Sequence, residues 1–255
     1  MATGVSVIFD IDGVVLDWRG GFLSWLNRKH GHDLPRMPLH HSNDLGPSLS
    51  PPLSDARYVQ MIREFSLSLE FSKLRAFDGA REFIQTIAES GMNICAVSSC
   101  GDGLTKSLRL SCLEQEVGWQ SEWAFEALPL ARSKLESYLA LFSAGDVTID
   151  DHLPNIKDAR SIGLSGLWYK ADPYLHTNHG EHTAPEKPIT NWSDCAKKLV
   201  DAVTLTDRAA AKRLQKSFYD TGILQPYNIS AAISASPQPR QSPSKQNGSD
   251  FTMRV

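Results

Sequence analysis

Five short apolar runs limit what this chain can fold into. Residues 5–10 (V-S-V-I-F-D), 93–97 (N-I-C-A-V), 123–125 (W-A-F), 146–150 (D-V-T-I-D) and 164–169 (L-S-G-L-W-Y) are short and rich in β-branched and aromatic residues, as buried strands are. Stretches with helical spacing lie between them. They cover 79–91, ending at Gly91 in a position suited to a left-handed cap, and then 102–115, 131–143 and 154–162. Strand and helix in alternation predict a parallel sheet covered by helices on both faces. The expectation is therefore an α/β, Rossmann-like doubly wound sheet. All strands of such a sheet end on one edge, and that edge is where such folds bind ligands.

One long interruption breaks the alternation. Residues 19–30 place Phe22, Leu23, Trp25 and Leu26 at helical spacing, and a polar stretch with Pro35, Pro38, Pro47, Pro51 and Pro52 follows. Ser54 is a candidate cap for a helix carrying Tyr58, Met61, Ile62, Phe65 and Leu69 on one face. Residues 19–75 are thus expected to form a small helical cap inserted after the first strand, with the core built from 1–18 and 76–204. A C-terminal helical extension is expected at 205–229, with its helix over 206–219. The polar, Pro-rich 230–255 has nothing to bury and is expected to be a disordered tail.

The 255 residues are 41% hydrophobic, enough for one sizeable core, and the net charge of −3 does not suit duplex nucleic acid as a partner. Cys95, Cys100, Cys112 and Cys195 form no C-x-x-C pair, and four lone thiols suggest a reducing compartment. The N-terminus has no basic n-region, and no run reaches the roughly 20 apolar residues of a membrane span. A cytoplasmic protein without membrane contact is expected.

The strand ends carry a more specific signal. The first strand ends in Asp10-Ile11-Asp12, the second in Ser98-Ser99, and the fourth in Asp150-Asp151, while Lys134 lies on a nearby helix. On one edge these acids would repel by roughly 4 kcal/mol per pair at about 4 Å and an effective dielectric near 20. Such a cluster calls for a cation, and hard oxygen ligands with open positions suit Mg²⁺. Ser98 and Lys134 would then meet phosphate oxygens. The chemistry that fits is phosphoryl transfer to a carboxylate, with a second acid moving protons. Lys106 and Lys157 compete with Lys134 for this place.

F-D-I-D-G-V-V, A-V-S-S, S-K-L and T-I-D-D-H-L-P-N-I-K-D-A, in that order, resemble the four motifs of the haloacid dehalogenase superfamily. The resemblance implies that Asp10 is the nucleophile and a Mg²⁺ ligand. Asp12 becomes the general acid/base, binding metal through its backbone carbonyl. Ser98 and Ser99 become phosphate-binding residues, Lys134 the steadying ammonium, and Asp151, with Asp150 beside it, the remaining metal ligands. The acid at Asp12 implies a phosphatase rather than a dehalogenase.

Within the superfamily the chain is most similar to the 5′(3′)-deoxyribonucleotidases. It shares D-I-D-G-V-V-L-D-W, the helical insert, L-R-A-F-D-G-A, Arg132-Ser133-Lys134, I-D-D and Trp192-Ser193-Asp194. That likeness implies a nucleoside monophosphate as small-molecule substrate and leaves a homodimer open. It puts Trp18, Phe65 and Arg132 among the substrate-binding residues, although Trp18 and Phe65 read equally well as packing of the insert. His41–Gly46 (H-S-N-D-L-G) carries no aromatic where the family stacks the base. A phosphatase for a sugar phosphate or a polynucleotide 3′-phosphate therefore stays open, as does a non-catalytic binding protein. His176, His179 and His182 match no zinc spacing. Arg208, Lys212, Arg213 and Lys216 read as a solvated face.

Overall fold

The computed structural model describes residues 4–31, 54–101, 103–129, 132–171 and 186–225. The proline-rich stretch, His41–Gly46, the three histidines of 176–182 and the tail at 230–255 lie outside the described residues. Strands β1 (Ser6–Phe9), β2 (Asn93–Ser98), β3 (Ala124–Ala127), β4 (Val147–Asp150) and β5 (Ser165–Trp168) form one sheet in the order β3-β2-β1-β4-β5. Every pairing is parallel, with Phe9 opposite Ala96 on one side and Ile149 on the other. The expected α/β doubly wound sheet is what the chain forms. The order reverses at β1, so a crevice opens beside β1 at the carboxyl edge.

Alternate residues of β1 face opposite layers. Val7 and Phe9 join the main core, while Ile8 packs with Val97, Tyr138 and Ala159 on the other face. Helices α1 (Trp18–His30) and α2 (Asp55–Ser66) belong to the interruption after β1. Then α3 (Ala80–Glu89), α4 (Gly103–Val117), α5 (Leu135–Leu141) and α6 (Leu153–Ser161) alternate with the strands, and α7 (Trp192–Thr206) and α8 (Arg208–Asp220) follow β5. The helix expected at 206–219 is α8, capped by Asp207, whose carboxylate accepts from the Ala209 and Ala210 amides. Its Phe218 stacks on Phe83 of α3 at 5.3 Å, and Phe83 meets Phe9 edge-on at 6.3 Å.

Sequence reading did not separate α7 as a helix, although Asn191 caps it by accepting from the Asp194 amide. Trp192 fastens this helix to the start of α3. Its ring lies 4.3 Å from Tyr169, and its indole N–H donates to the Asp78 carbonyl at 2.9 Å. Gly79 fits beneath that ring with φ of +80°, and a Cβ there would lie 2.9 Å from Trp192 Cδ1.

The insert leaves and returns side by side. Leu16 and Ala76 form an antiparallel bridge, the Asp17 amide donates to the Arg75 carbonyl, and the Phe77 amide donates to the Val15 carbonyl, both at 2.9 Å. Asp17 caps α1 by accepting from the Gly20 amide, and Ser54 caps α2 as expected, accepting from the Arg57 amide. Tyr58, Met61 and Phe65 are buried, and each such side chain contributes roughly 1.5–3 kcal/mol. Leu69 does not extend this face: α2 stops at Ser66 and Leu69 is 70% exposed. Two hydroxyls compete with the helix at that point. Ser66 Oγ donates back to the Ile62 carbonyl and Ser68 Oγ to the Phe65 carbonyl. Among the described residues, no helix is long and apolar enough to cross a membrane.

Candidate active site

The site is assembled from strand ends. β1 delivers Asp10, whose amide donates to the Ile149 carbonyl and whose Oδ1 accepts from the Ile11 amide at 2.7 Å. The chain then turns sharply through Asp12 and Gly13, where φ is +91°, and Val15 and Leu16 both donate to the Ile11 carbonyl. β4 delivers Asp150 and Asp151, and the carboxylates of Asp10, Asp150 and Asp151 bring ligand oxygens within 4.8 Å of one another. The Asp12 carboxylate is not one of this group.

Lys134 stands just before α5, and the expected helix over 131–143 is shorter, beginning at Leu135 and ending where Phe142 turns extended. The ammonium is buried between Asp10 Oδ2 at 2.8 Å and Asp150 Oδ2 at 2.7 Å. Burial disfavours its charge, but Asp10 and Asp150 outweigh that and push its pKa up, so Lys134 stays protonated. The competing lysines are elsewhere: Lys106 lies over the Phe125 ring and Lys157 is exposed. Asp150 is held by three donors, Lys134, the His152 amide at 2.8 Å and the Asn155 amide nitrogen at 3.1 Å. Asp151 is held through its backbone, whose carbonyl accepts from the buried Trp168 indole at 3.0 Å.

Two carboxyls in the group carry raised pKa values. Burial pushes Asp10 up to about 7, with Lys134 pulling it down and Asp150 adding to the rise. Burial also raises Asp151 well above its ordinary range, and the Asp10 and Asp150 charges add to this. Crowded acids such as these, with Lys134 between Asp10 and Asp150 and Lys170 also acting on Asp151, fit a hard divalent cation, which would relieve the repulsion. Asp10, Asp150 and Asp151 are the residues that could hold it.

Ser98, at the end of β2, is 1% exposed, and its hydroxyl makes no hydrogen bond among the described residues. A buried hydroxyl without a partner is costly unless a ligand supplies one, and phosphate oxygens would. Ser99 beside it is half-buried. Cys100 is a thiol that burial pushes up to about 12, so it is no nucleophile at neutral pH.

The remaining expected residues have partners of their own. Phe65 has no exposed surface and touches the rings of Trp18, Phe22, Trp25 and Phe71. Trp18 is partly buried and stacks on Phe22 at 4.9 Å. Both belong to an aromatic cluster of the insert. Arg132 pairs with Glu136, and both side chains are more than half exposed.

One residue at the site went unread in the sequence. Arg109 of α4 is wholly buried and reaches Asp12 from 97 positions away. Its signal was a cation on the helical stripe shared with Thr105, Cys112 and Leu113, all of them buried.

No protein-family profile matches this chain, and no curated protein does. Solved structures do. A predicted phosphatase from Clostridium acetobutylicum superposes with a TM-score of 0.56 at 13% identity, over 78% of this chain and 99% of that one. A haloacid dehalogenase family hydrolase from Deinococcus radiodurans R1, with bound phosphate and sodium, gives 0.53 at 17% identity over 81% and 99%. A haloacid dehalogenase-like family hydrolase from Streptococcus pneumoniae gives 0.52 at 14% identity over 77% and 99%. At these identities the likeness is one of fold, and the chain has the fold of the haloacid dehalogenase-like hydrolases.

Proposed function

We propose that this protein is a haloacid dehalogenase superfamily phosphatase, a Mg²⁺-dependent phosphomonoesterase acting on a nucleoside monophosphate through an aspartyl-phosphate. The observation that carries the reading is the Asp10–Lys134–Asp150 arrangement with Asp12 two residues on. The unpartnered Ser98 hydroxyl at the end of neighbouring β2 supports a phosphoryl ligand. The four motifs in order, and their likeness to the 5′(3′)-deoxyribonucleotidases, support the substrate class.

An Asp10 carboxylate oxygen attacks phosphorus, and the bond from phosphorus to the ester oxygen breaks. Asp12 gives its proton to the departing alkoxide. Water then attacks the acyl phosphate, loses a proton to Asp12 and restores the Asp10 carboxylate. Lys134 and Ser98 hold the phosphoryl oxygens and spread the charge that develops there. A divalent cation on Asp10, Asp150 and Asp151, with the Asp12 backbone carbonyl as a further ligand implied by the family resemblance, would supply additional charge neutralisation. The insert, residues 19–75, serves as a cap that excludes water and reads the leaving group. The protein works in the cytoplasm on a small molecule.

A second reading, a sugar phosphate as substrate, is favoured by one observation. Phe65 and Trp18 are engaged in rings of the insert, which weakens the case for base stacking by them. A panel of deoxynucleotides and sugar phosphates, assayed for phosphate release with Mg²⁺ and with EDTA, tests both. Turnover of deoxynucleotides above the sugar phosphates, abolished by EDTA, is expected. Preference for sugar phosphates would replace the substrate, and no release from any ester would overturn the enzyme reading.

A further inference from the structure

The two acids of the D-x-D turn have separate cations. Asp10 is tied to Lys134, whereas Asp12 is tied to Arg109, which belongs to none of the four motifs. Arg109 Nη2 lies 2.8 Å from Asp12 Oδ1 and donates to Oδ2 at 3.0 Å. Its Nη1 donates to the Phe71 carbonyl at 3.4 Å, and its guanidinium lies 3.7 Å from the centre of the Phe71 ring. Phe71 sits in a single 3-10 turn, Phe71–Lys73, where the insert returns to the sheet. Three residues along α4 from Arg109, the Cys112 thiol donates to the Leu74 carbonyl at 2.9 Å, a second tie between that helix and the returning chain.

A buried guanidinium is costly unless its donors are engaged, and removing its partner is costlier still. Exposure within the pair is unequal: Arg109 is wholly buried, while the Asp12 side chain keeps 21% of its surface. The pair therefore offers the carboxylate outward and keeps the guanidinium behind it, where it cannot touch a substrate.

We propose that Arg109 is a positioning residue for Asp12, holding the carboxylate in place for proton transfer to the leaving group and linking that placement, through Phe71, to the insert. The proposal rests on the phosphatase reading. One charged nitrogen, Nη2, hydrogen-bonded to Oδ2 and close to Oδ1, restricts rotation of the carboxylate, and an aromatic ring and a carbonyl hold the guanidinium itself. Proton donation matters most when the departing oxygen is strongly basic. An alkyl phosphate therefore depends on Asp12 far more than an aryl phosphate does.

The experiment compares kcat/KM for β-glycerophosphate and p-nitrophenyl phosphate in the full-length protein with Mg²⁺. Arg109→Gln should lower the alkyl-to-aryl ratio by about tenfold or more, a share of the roughly 10²–10⁴-fold that a positioned acid contributes. Arg109→Lys, which keeps the charge, should recover part of that loss. Phe71→Leu leaves both charges in place and should shift the ratio the same way by less. In an Asp12→Asn background, Arg109→Gln should move the ratio no further. An unchanged ratio in both Arg109→Gln and Phe71→Leu overturns the assignment, as does an equal loss on both esters or an additive loss in the double variant. If the unaltered protein releases phosphate from neither of these esters nor from any deoxynucleotide or sugar phosphate, the phosphatase reading fails and takes this assignment with it.

Discussion

At the carboxyl edge of the sheet, Lys134 is buried between two carboxylates; in the insert, Phe65 is buried among four aromatic rings. Both places exclude water, but with different consequences. Buried charges are stable only as a set, so each member of the edge fixes where the others point. Buried rings are held by area and contact alone, and they have no chemistry to offer while they face one another. On the proposed function the edge would carry the reaction, and the packed rings of the insert its shape.

The largest expected break in this contrast is chemical. Asp10→Asn removes the attacking oxygen while keeping a side chain of the same size, and phosphate release should fall on the order of 10⁴-fold or more with the far-UV circular dichroism unchanged. Retained turnover would sink the mechanism. In the insert, Phe65→Ala should instead cost about 3–5 kcal/mol of unfolding free energy, measured by urea titration. Its effect on KM should stay within about threefold. A larger rise in KM with stability intact would return that ring to the substrate.

A third measurement concerns the acids alone. A carboxyl whose pKa is higher folded than unfolded stabilises the protein below its unfolded value, and that contribution is lost as pH rises through the folded value. For Asp10 this window runs from 3.8 to about 7, and Asp151 shifts in the same direction. A divalent cation competes with those protons, so its stabilisation should grow with pH. The rise in Tm on adding Mg²⁺ should be larger near pH 8 than near pH 5, and the stabilising free energy should approach about 2.7 kcal/mol at roughly a hundredfold excess over Kd. A rise independent of pH would place the cation elsewhere. The smallest effect is expected at Arg132→Ala, which loses an exposed pair worth less than about 1 kcal/mol and should leave KM unchanged. A tenfold rise in KM would bring that guanidinium to the substrate.

Legibility followed the range of the signal. Strands announced themselves because apolar runs ending in Asp10, Ser98 and Asp150 are local facts, and the alternation of strand and helix implied a parallel sheet with those ends on one edge. The end of α2 was misjudged because periodicity carries on to Leu69, whereas Ser66 and Ser68 divert the backbone first. α5 was drawn too long because Lys134 precedes it as a cap. α7 hid because W-S-D was read as a likeness and not as a helix start behind Asn191. Arg109 was missed for a deeper reason: its partner is 97 residues away, and only the folded sheet brings α4 against the first turn.

The Leu16–Ala76 bridge has one more consequence. A segment whose two ends are clasped together transmits little of its own length to the sheet, and doubling such a loop costs only about 0.6 kcal/mol in closure entropy. The sheet is therefore insensitive to the length of what is spliced in at that clasp, provided that Phe71 and Leu74 remain to meet Arg109 and Cys112. Grafting the corresponding segment of another protein between residues 17 and 70, with 71–76 kept, should yield a hybrid that keeps the Arg109–Asp12 pair and admits a different leaving group.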